Sequence, residues 1–233
     1  MSNFNDEEKR LDPEFTQLFD EFAFSEVPGS NDIDEKTRYV VILASLLGCQ
    51  GVDEFRAILP LALKALSPLE IKEIIYQSTA YLGIGRVYPF IGVANEVMKV
   101  EGVELPLPGQ STTTPENRLE KGSQAQVDLF GEQMKDFWKA SDINRFLADN
   151  CFGDYYTREG LDYKTRELIT FCFLASLGGC EGQLMAHTSA NFMHGNGKDF
   201  LIDVVSQMVP YIGYPRSLNA ITIINKVAEQ LEE

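Results

Sequence analysis

Apolar residues recur at steps of three and four through most of the chain, with polar residues filling the complementary positions. This pattern predicts helices over 34–48, 53–66, 67–82 and 86–100, and again over 162–178, 181–195, 198–212 and 215–231. No stretch of period-two alternation closed by a turn dipeptide marks a hairpin. Start and stop signals agree with the helical reading. Ser67-Pro68 sets a cap before a proline at the first helical position, HGNG at 194–197 ends one helix, and YIGYPR separates the last two. The helices that begin at KTR, 36–38 and 164–166, are apolar around nearly their whole circumference, as in RELITFCFLASLGG. Such helices belong at the centre of a bundle, covered on every side. The expected fold class is all-α.

The same stretches carry an internal correspondence. LASLLGCQG (43–51) returns as LASLGGCEG (174–182), each copy following a KTR tripeptide. Further along, YLGIGRVYPFIGVANEV (81–97) lines up with YIGYPRSLNAITIINKV (211–227), sharing the Tyr, the Gly two residues on and the Arg three beyond. Two copies of one helical unit are the expected organisation. The units are 1–101 and 125–233, joined by a linker over 102–124, where GVELPLPGQSTTTPENRLEKGSQ is rich in Pro, Gly, Ser and Thr.

Composition narrows the function classes. The formal net charge of −15 opposes attraction to nucleic-acid phosphates or anionic lipid surfaces, so neither is an expected partner. No apolar run approaches the roughly 20 residues of a membrane helix, and MSNFNDEEKR is acidic where a secretory signal is basic and then apolar. The expected location is cytoplasmic. Four cysteines, lying mostly within apolar segments, fit reduced buried thiols better than a disulfide framework.

The candidate chemistry sits in GGCEGQLMAH, where helical spacing puts Cys180, Gln183 and His187 on one face. An imidazole there can serve as acid or base near neutral pH, or as a core histidine with a satisfied hydrogen bond. His194 lies two turns beyond His187, but no thiol or carboxylate completes a three-ligand set, so no metal is expected. At its helix end His194 meets the negative end of the helix dipole. Neither a phosphate-binding glycine loop nor a Ser-His-Asp spacing is present.

The order KTREL, an Ala/Leu-rich helix ending in Gly, ExQLxAH, an apolar amphipathic helix and a YxGxPRxLNA turn resembles the carboxymuconolactone decarboxylase family, which also contains the alkylhydroperoxidase-like thiol enzymes. The second unit matches over nearly its whole length and the first in outline. The resemblance implies two tandem alkylhydroperoxidase-like helical repeats packed together, in chains that assemble into rings. A trimer of two-repeat chains, hexamer-like in form, is the expected homo-oligomer. It also implies an enzyme that works on a small carboxylated lactone or related acid by cofactor-free acid/base chemistry. The family's functional histidine falls on His187 and its acidic residue on Glu167, which could otherwise be a surface carboxylate beside Arg166.

In the thiol branch the site is CxxC followed by histidine; here the pattern is CxxQ, and Gln183 cannot resolve a sulfenate as a disulfide. Cys180 is therefore a reactive thiol served by an external reductant, as in a thiol peroxidase or disulfide reductase, or a structural residue. A noncatalytic oligomeric scaffold is the third alternative. Decarboxylation needs a held carboxylate, for which Arg216 and Arg158 are the candidate cations, with Gln183 donating to a substrate oxygen. Arg216 recurs as Arg86, so a structural role shared by both repeats competes with substrate binding. Aligned on LASLxGC, Val52 stands opposite Gln183 and Arg56 opposite His187; matched on KTR, Tyr39 stands opposite Glu167. One active site per chain follows, in the second repeat.

Overall fold

The computed structural model describes residues 4–232, and no β-strand occurs among the described residues. Twelve α-helices follow one another among these residues: α1 (Asp6–Leu11), α2 (Pro13–Glu21), α3 (Val27–Gly29), α4 (Glu35–Cys49), α5 (Val52–Ala62), α6 (Pro68–Leu82), α7 (Ile84–Val100), α8 (Arg118–Phe130), α9 (Asp142–Phe146), α10 (Tyr163–Leu177), α11 (Glu181–Met193) and α12 (Lys198–Glu232). Wider π-helical turns continue α2 through Phe22–Glu26 and α9 through Leu147–Tyr156. The chain is all-α, as its apolar periodicity predicts. The short helices before residue 30, α8, and α9 with the turns of helix leading to Tyr156 were not among the expected elements.

Local chemistry sets the boundaries. Asp34 and Asp162 each cap the helix that follows by accepting from the backbone N–H of the Thr three residues on, Thr37 and Thr165. Ser67 and Glu70 form a reciprocal capping box, with Pro68 at the first helical position. Gly213, at φ 75°, breaks α12 in two near the position that YIGYPR predicts.

At the centre α4 packs on α10. Every residue from Tyr39 to Gly48 and from Arg166 to Ser176 is buried, which explains why these two helices read as apolar all round. They cross at Gly48, where a β-carbon would lie 2.6 Å from Ser176 Cβ and 2.8 Å from the Phe173 carbonyl oxygen. Helices α5, α6 and α7 pack around α4, with Phe55 edge-on to Phe90, and α11 and α12 around α10; α6 also packs against α10. The segment ahead of α4 is tied down by Gln207, whose amide donates to the Val27 carbonyl and Asn31 Oδ1.

The 102–124 stretch is more ordered than its composition suggests. Residues 102–117 contain no helix but are strapped to the chain around Gly153: Thr113 donates to the Gly153 carbonyl, Thr112 to that of Thr157, and the Glu159 N–H to that of Gln110. Residues 118–124 already belong to α8. This helix lies against the Leu147–Tyr156 turns in very close contact. A β-carbon on Gly122 would come within 1.9 Å of the Ala148 carbonyl oxygen, and one on Gly153 within 2.3 Å of that of Arg118. Arg118 adds an ion pair to Asp154 at 2.7 Å. A small second core of Ala125, Leu129, Cys151, Phe152 and Tyr156 fills this contact.

Candidate active site

The capped start of α10 fixes Arg166, Glu167 and Thr170 on its inward side, all fully buried. Two positive-φ glycines, Gly178 and Gly179, turn the chain into α11. Cys180 stands at the N-cap of α11 in a non-helical conformation, not inside the helix, yet Cys180, Gln183 and His187 still converge on one cavity. Asn191 braces the two helices, its amide donating to the carbonyls of Glu167 and His187.

His187 Nδ1 lies 2.7 Å from Glu167 Oε2. The carboxylate is fully buried, so the alternative of a surface carboxylate is overturned. Its other oxygen accepts a hydrogen bond from Tyr156 at 2.8 Å. The imidazole ring is held between the edges of Tyr81 and Phe130, each at a centroid distance of 5.4 Å. A carboxylate only accepts, so Nδ1 carries a proton, and Nε2 is left as the ring nitrogen that can act toward the cavity.

That cavity has a volume of ≈ 930 Å³ and is open to the surface. Its walls are mainly apolar, with Phe130 against His187, Leu174 and Phe152 also lining it and exposed Met193 and Phe137 toward the surface, while Gln126, Gln133 and Gln183 add amides. Cys180 donates to the Leu174 carbonyl at 3.4 Å, and burial together with the nearby Glu181 pushes its thiol pKa up. Cys151, also on the wall, is pushed up to about 12, chiefly by burial, and Cys172 is sealed inside α10. Both groups therefore stay protonated at neutral pH.

The two arginines expected to hold a substrate carboxylate lie elsewhere. Arg158 pairs with Glu73 through two nitrogens, at 2.9–3.0 Å, and its guanidinium stacks over Tyr76. A buried carboxylate is a stronger attraction for it than an open cavity. Arg216 does not line the cavity but an adjoining small crevice with Gly178 and Leu184, which shares Leu174 and Cys180 with it. No Arg or Lys lines the main cavity among the described residues. His194 follows α11 directly as its C-cap, edge-on to Tyr163. Among the described residues, no group of three His, Cys, Asp or Glu side chains is arranged to hold a metal ion, and no helix is long and apolar enough to cross a membrane.

Three polar residues of α6 reach this region without having been expected there: Glu73, Gln77 and Tyr81. Tyr81 Oη lies 2.8 Å from Tyr156 Oη. Gln77 donates to Thr170 Oγ1 at 2.9 Å, and Glu73 pairs with Arg166 at 3.1 Å. Their sequence signal is a spacing of four, which puts the three polar groups on one face of α6.

An all-helical chain with a buried Glu–His pair at the wall of a large cavity defines the class. Residues 141–226 match the sequence profile of the carboxymuconolactone decarboxylase family. The likeness to that family lies in this region of the chain. It is 29% identical over 124 residues to the 4-carboxymuconolactone decarboxylase of Acinetobacter baylyi, a match spanning 50% of this chain and 90% of that one. Its fold resembles the crystal structure of a protein from Burkholderia xenovorans LB400 described as a gamma-carboxymuconolactone decarboxylase subunit. That likeness has a TM-score of 0.57 at 19% identity and covers 97% of this chain and 90% of that one. At that identity it speaks for the fold alone.

Proposed function

We propose that the chain is a decarboxylase-like carbon–carbon lyase that acts without a cofactor on a small carboxylated lactone or a related acid, with His187 as its acid/base group. The observation that carries this reading is the 2.7 Å His187–Glu167 pair at the wall of the cavity. Protonated at Nε2, His187 supplies the positive charge that neither Arg158 nor Arg216 brings to the cavity. As the carbon–carboxylate bond breaks, carbon dioxide leaves and the electron pair delocalises into the lactone system. The Nε2 proton then passes to carbon, and solvent restores it. Glu167 orients the ring and stabilises the imidazolium, and Gln183 donates from the wall to a substrate oxygen.

Cys180 shares the wall, but burial and the nearby Glu181 hold its thiol pKa up and keep it protonated at neutral pH, which weighs against peroxidase chemistry. On the same reading the chain consists of two helical units, with the chemistry in the second, and associates as a trimer. The exposed pairs Ile84 and Tyr88 at the start of α7, and Tyr214 and Leu218 after the break in α12, support an association surface.

Carbon dioxide release from a panel of carboxylated lactones tests the reaction. His187→Ala should lose about 10²–10⁴-fold in kcat, and a fully active variant would refute the assignment. If hydroperoxide consumption with a dithiol depends on Cys180, the thiol chemistry is the correct one instead. A stable monomer in solution would refute the trimer.

A further inference from the structure

We infer that Tyr81 and Gln77, outside the region that matches the family, are positioning residues of the His187 site: with Thr170 and Tyr156 they form a one-way relay of hydrogen bonds ending on Glu167. The inference rests on the acid/base reading of His187 and adds a second set of residues to it.

The direction of every bond in the relay follows from chemistry. Arg166 has no acceptor, so its Nη1 must donate to the Gln77 side chain, at 2.8 Å, which fixes the oxygen of that amide toward the guanidinium. The amide nitrogen then faces away and spends its two protons on the Arg166 carbonyl, at 3.0 Å, and Thr170 Oγ1, at 2.9 Å. Having accepted from Gln77, Thr170 directs its own proton to Tyr156 Oη at 2.9 Å. Tyr156 has a single proton, and the carboxylate of Glu167, 2.8 Å away, can only accept it. Tyr156 therefore accepts from its other neighbours, so Tyr81 donates to it at 2.8 Å. Burial raises the pKa of both phenols well above the usual tyrosine range, so both remain donors throughout the working pH range.

Two chains of donors, from Gln77 through Thr170 and from Tyr81, thus meet on Tyr156 and strengthen its donation to Glu167, because a hydroxyl that accepts hydrogen bonds donates more strongly. Glu167 divides its negative charge between Tyr156 on one oxygen and His187 on the other. The relay fixes how much of that charge the imidazole feels and holds the proton on Nδ1, leaving Nε2 for the substrate. Its far end is anchored by Arg166, which pairs with Glu73 and donates to the Arg158 carbonyl at 2.9 Å. Glu73, Gln77 and Tyr81 stand four residues apart, so one face of α6 supplies both the anchor and the donors.

The test needs no substrate. With only His187 and His194 in the chain, 15N-histidine labelling of the full-length protein gives two imidazoles, and substitution of His194 assigns them. The wild type should show His187 as the Nδ1–H tautomer with that proton far downfield. Tyr81→Phe keeps the ring beside His187 and removes only the hydroxyl. It weakens the donation of Tyr156, so Glu167 draws harder on the imidazole and the Nδ1 proton moves further downfield. Thr170→Val, at the other branch, should shift it the same way, while the His194 signals stay in place as the control for folding. A His187 proton that is unmoved or moves upfield in both variants overturns the relay. Such a result leaves any His187-dependent decarboxylation standing, whereas an active His187→Ala enzyme overturns the catalytic reading and leaves the relay measurable, so the two fail separately.

Discussion

The contact between α8 and the Leu147–Tyr156 turns is close enough for one methyl group to disturb the site. In Gly122→Ala the new β-carbon would start 1.9 Å from the Ala148 carbonyl oxygen and 2.6 Å from the Gly153 nitrogen, where ordinary contacts begin near 3.4 Å. Both obstacles are backbone, so no side chain can swing aside, and the helices must part by roughly 1.5 Å. Overpacking of this kind costs ~1–3 kcal/mol, and a double backbone clash belongs at the upper end, about 3 kcal/mol. For a chain of this length that lowers Tm by about 6–12 °C. The movement would also draw Phe130 from one side of His187 and Tyr156 from Glu167, so activity should fall with stability. Gly92→Ala is the matched control: Gly92 lies exposed within α7, and its added methyl meets nothing within 4 Å. It should stabilise the protein by about 0.5–1 kcal/mol. Denaturant unfolding followed by far-ultraviolet circular dichroism measures both. If Gly122→Ala matched Gly92→Ala in sign, the contact would not be the constraint described.

Two further outcomes follow. The carboxylate of Asp34 is held below the usual aspartate range by hydrogen bonds, first from the Thr37 hydroxyl and then from neighbouring N–H groups, against the opposing effect of burial. Its cap is therefore fully effective above the unfolded aspartate pKa and is lost as pH falls through the lower folded value. Asp34→Ala should cost about 1 kcal/mol at neutral pH, with the deficit narrowing below about pH 4, and a deficit constant across that range would contradict this. Cys180, with its pKa raised by burial and by Glu181, should alkylate more slowly than a free thiol at pH 7 and speed up only beyond the ordinary thiol range. Peptide-resolved mass spectrometry of iodoacetamide labelling reads this, and rapid labelling at pH 7 would restore a reactive thiol.

Much of the fold was legible because its helices carry their own punctuation. Ser67-Pro68, HGNG and YIGYPR gave boundaries that the observed helices keep within a few residues. Helix α8 was not expected at all, because its first half, RLEKGSQ, is polar and glycine-containing, and it is held by its backbone approach to Ala148 and Gly153, a tertiary cause with no local pattern. At the site, Glu167 and His187 lie on adjacent helices within one compact motif, so sequence spacing and resemblance reached them. Gln77 and Tyr81 meet Arg166 and Tyr156 across 89 and 75 residues, a distance over which no spacing rule operates. Arg158 was misplaced for the same reason: its partner, Glu73, is 85 residues away.

The Glu73–Gln77–Tyr81 stripe also limits how this gene can be recombined. The region that matches the family includes Arg166 but none of these three residues. A chimera that grafts 141–226 behind a different upstream segment would inherit a guanidinium with no exposure to solvent and no counter-charge, a defect that costs ~3–5 kcal/mol when one member of a buried pair is lost. Viable exchanges between relatives should therefore be those in which α6 travels with α10, so the unit of inheritance is a contact between two distant helices and not a contiguous domain.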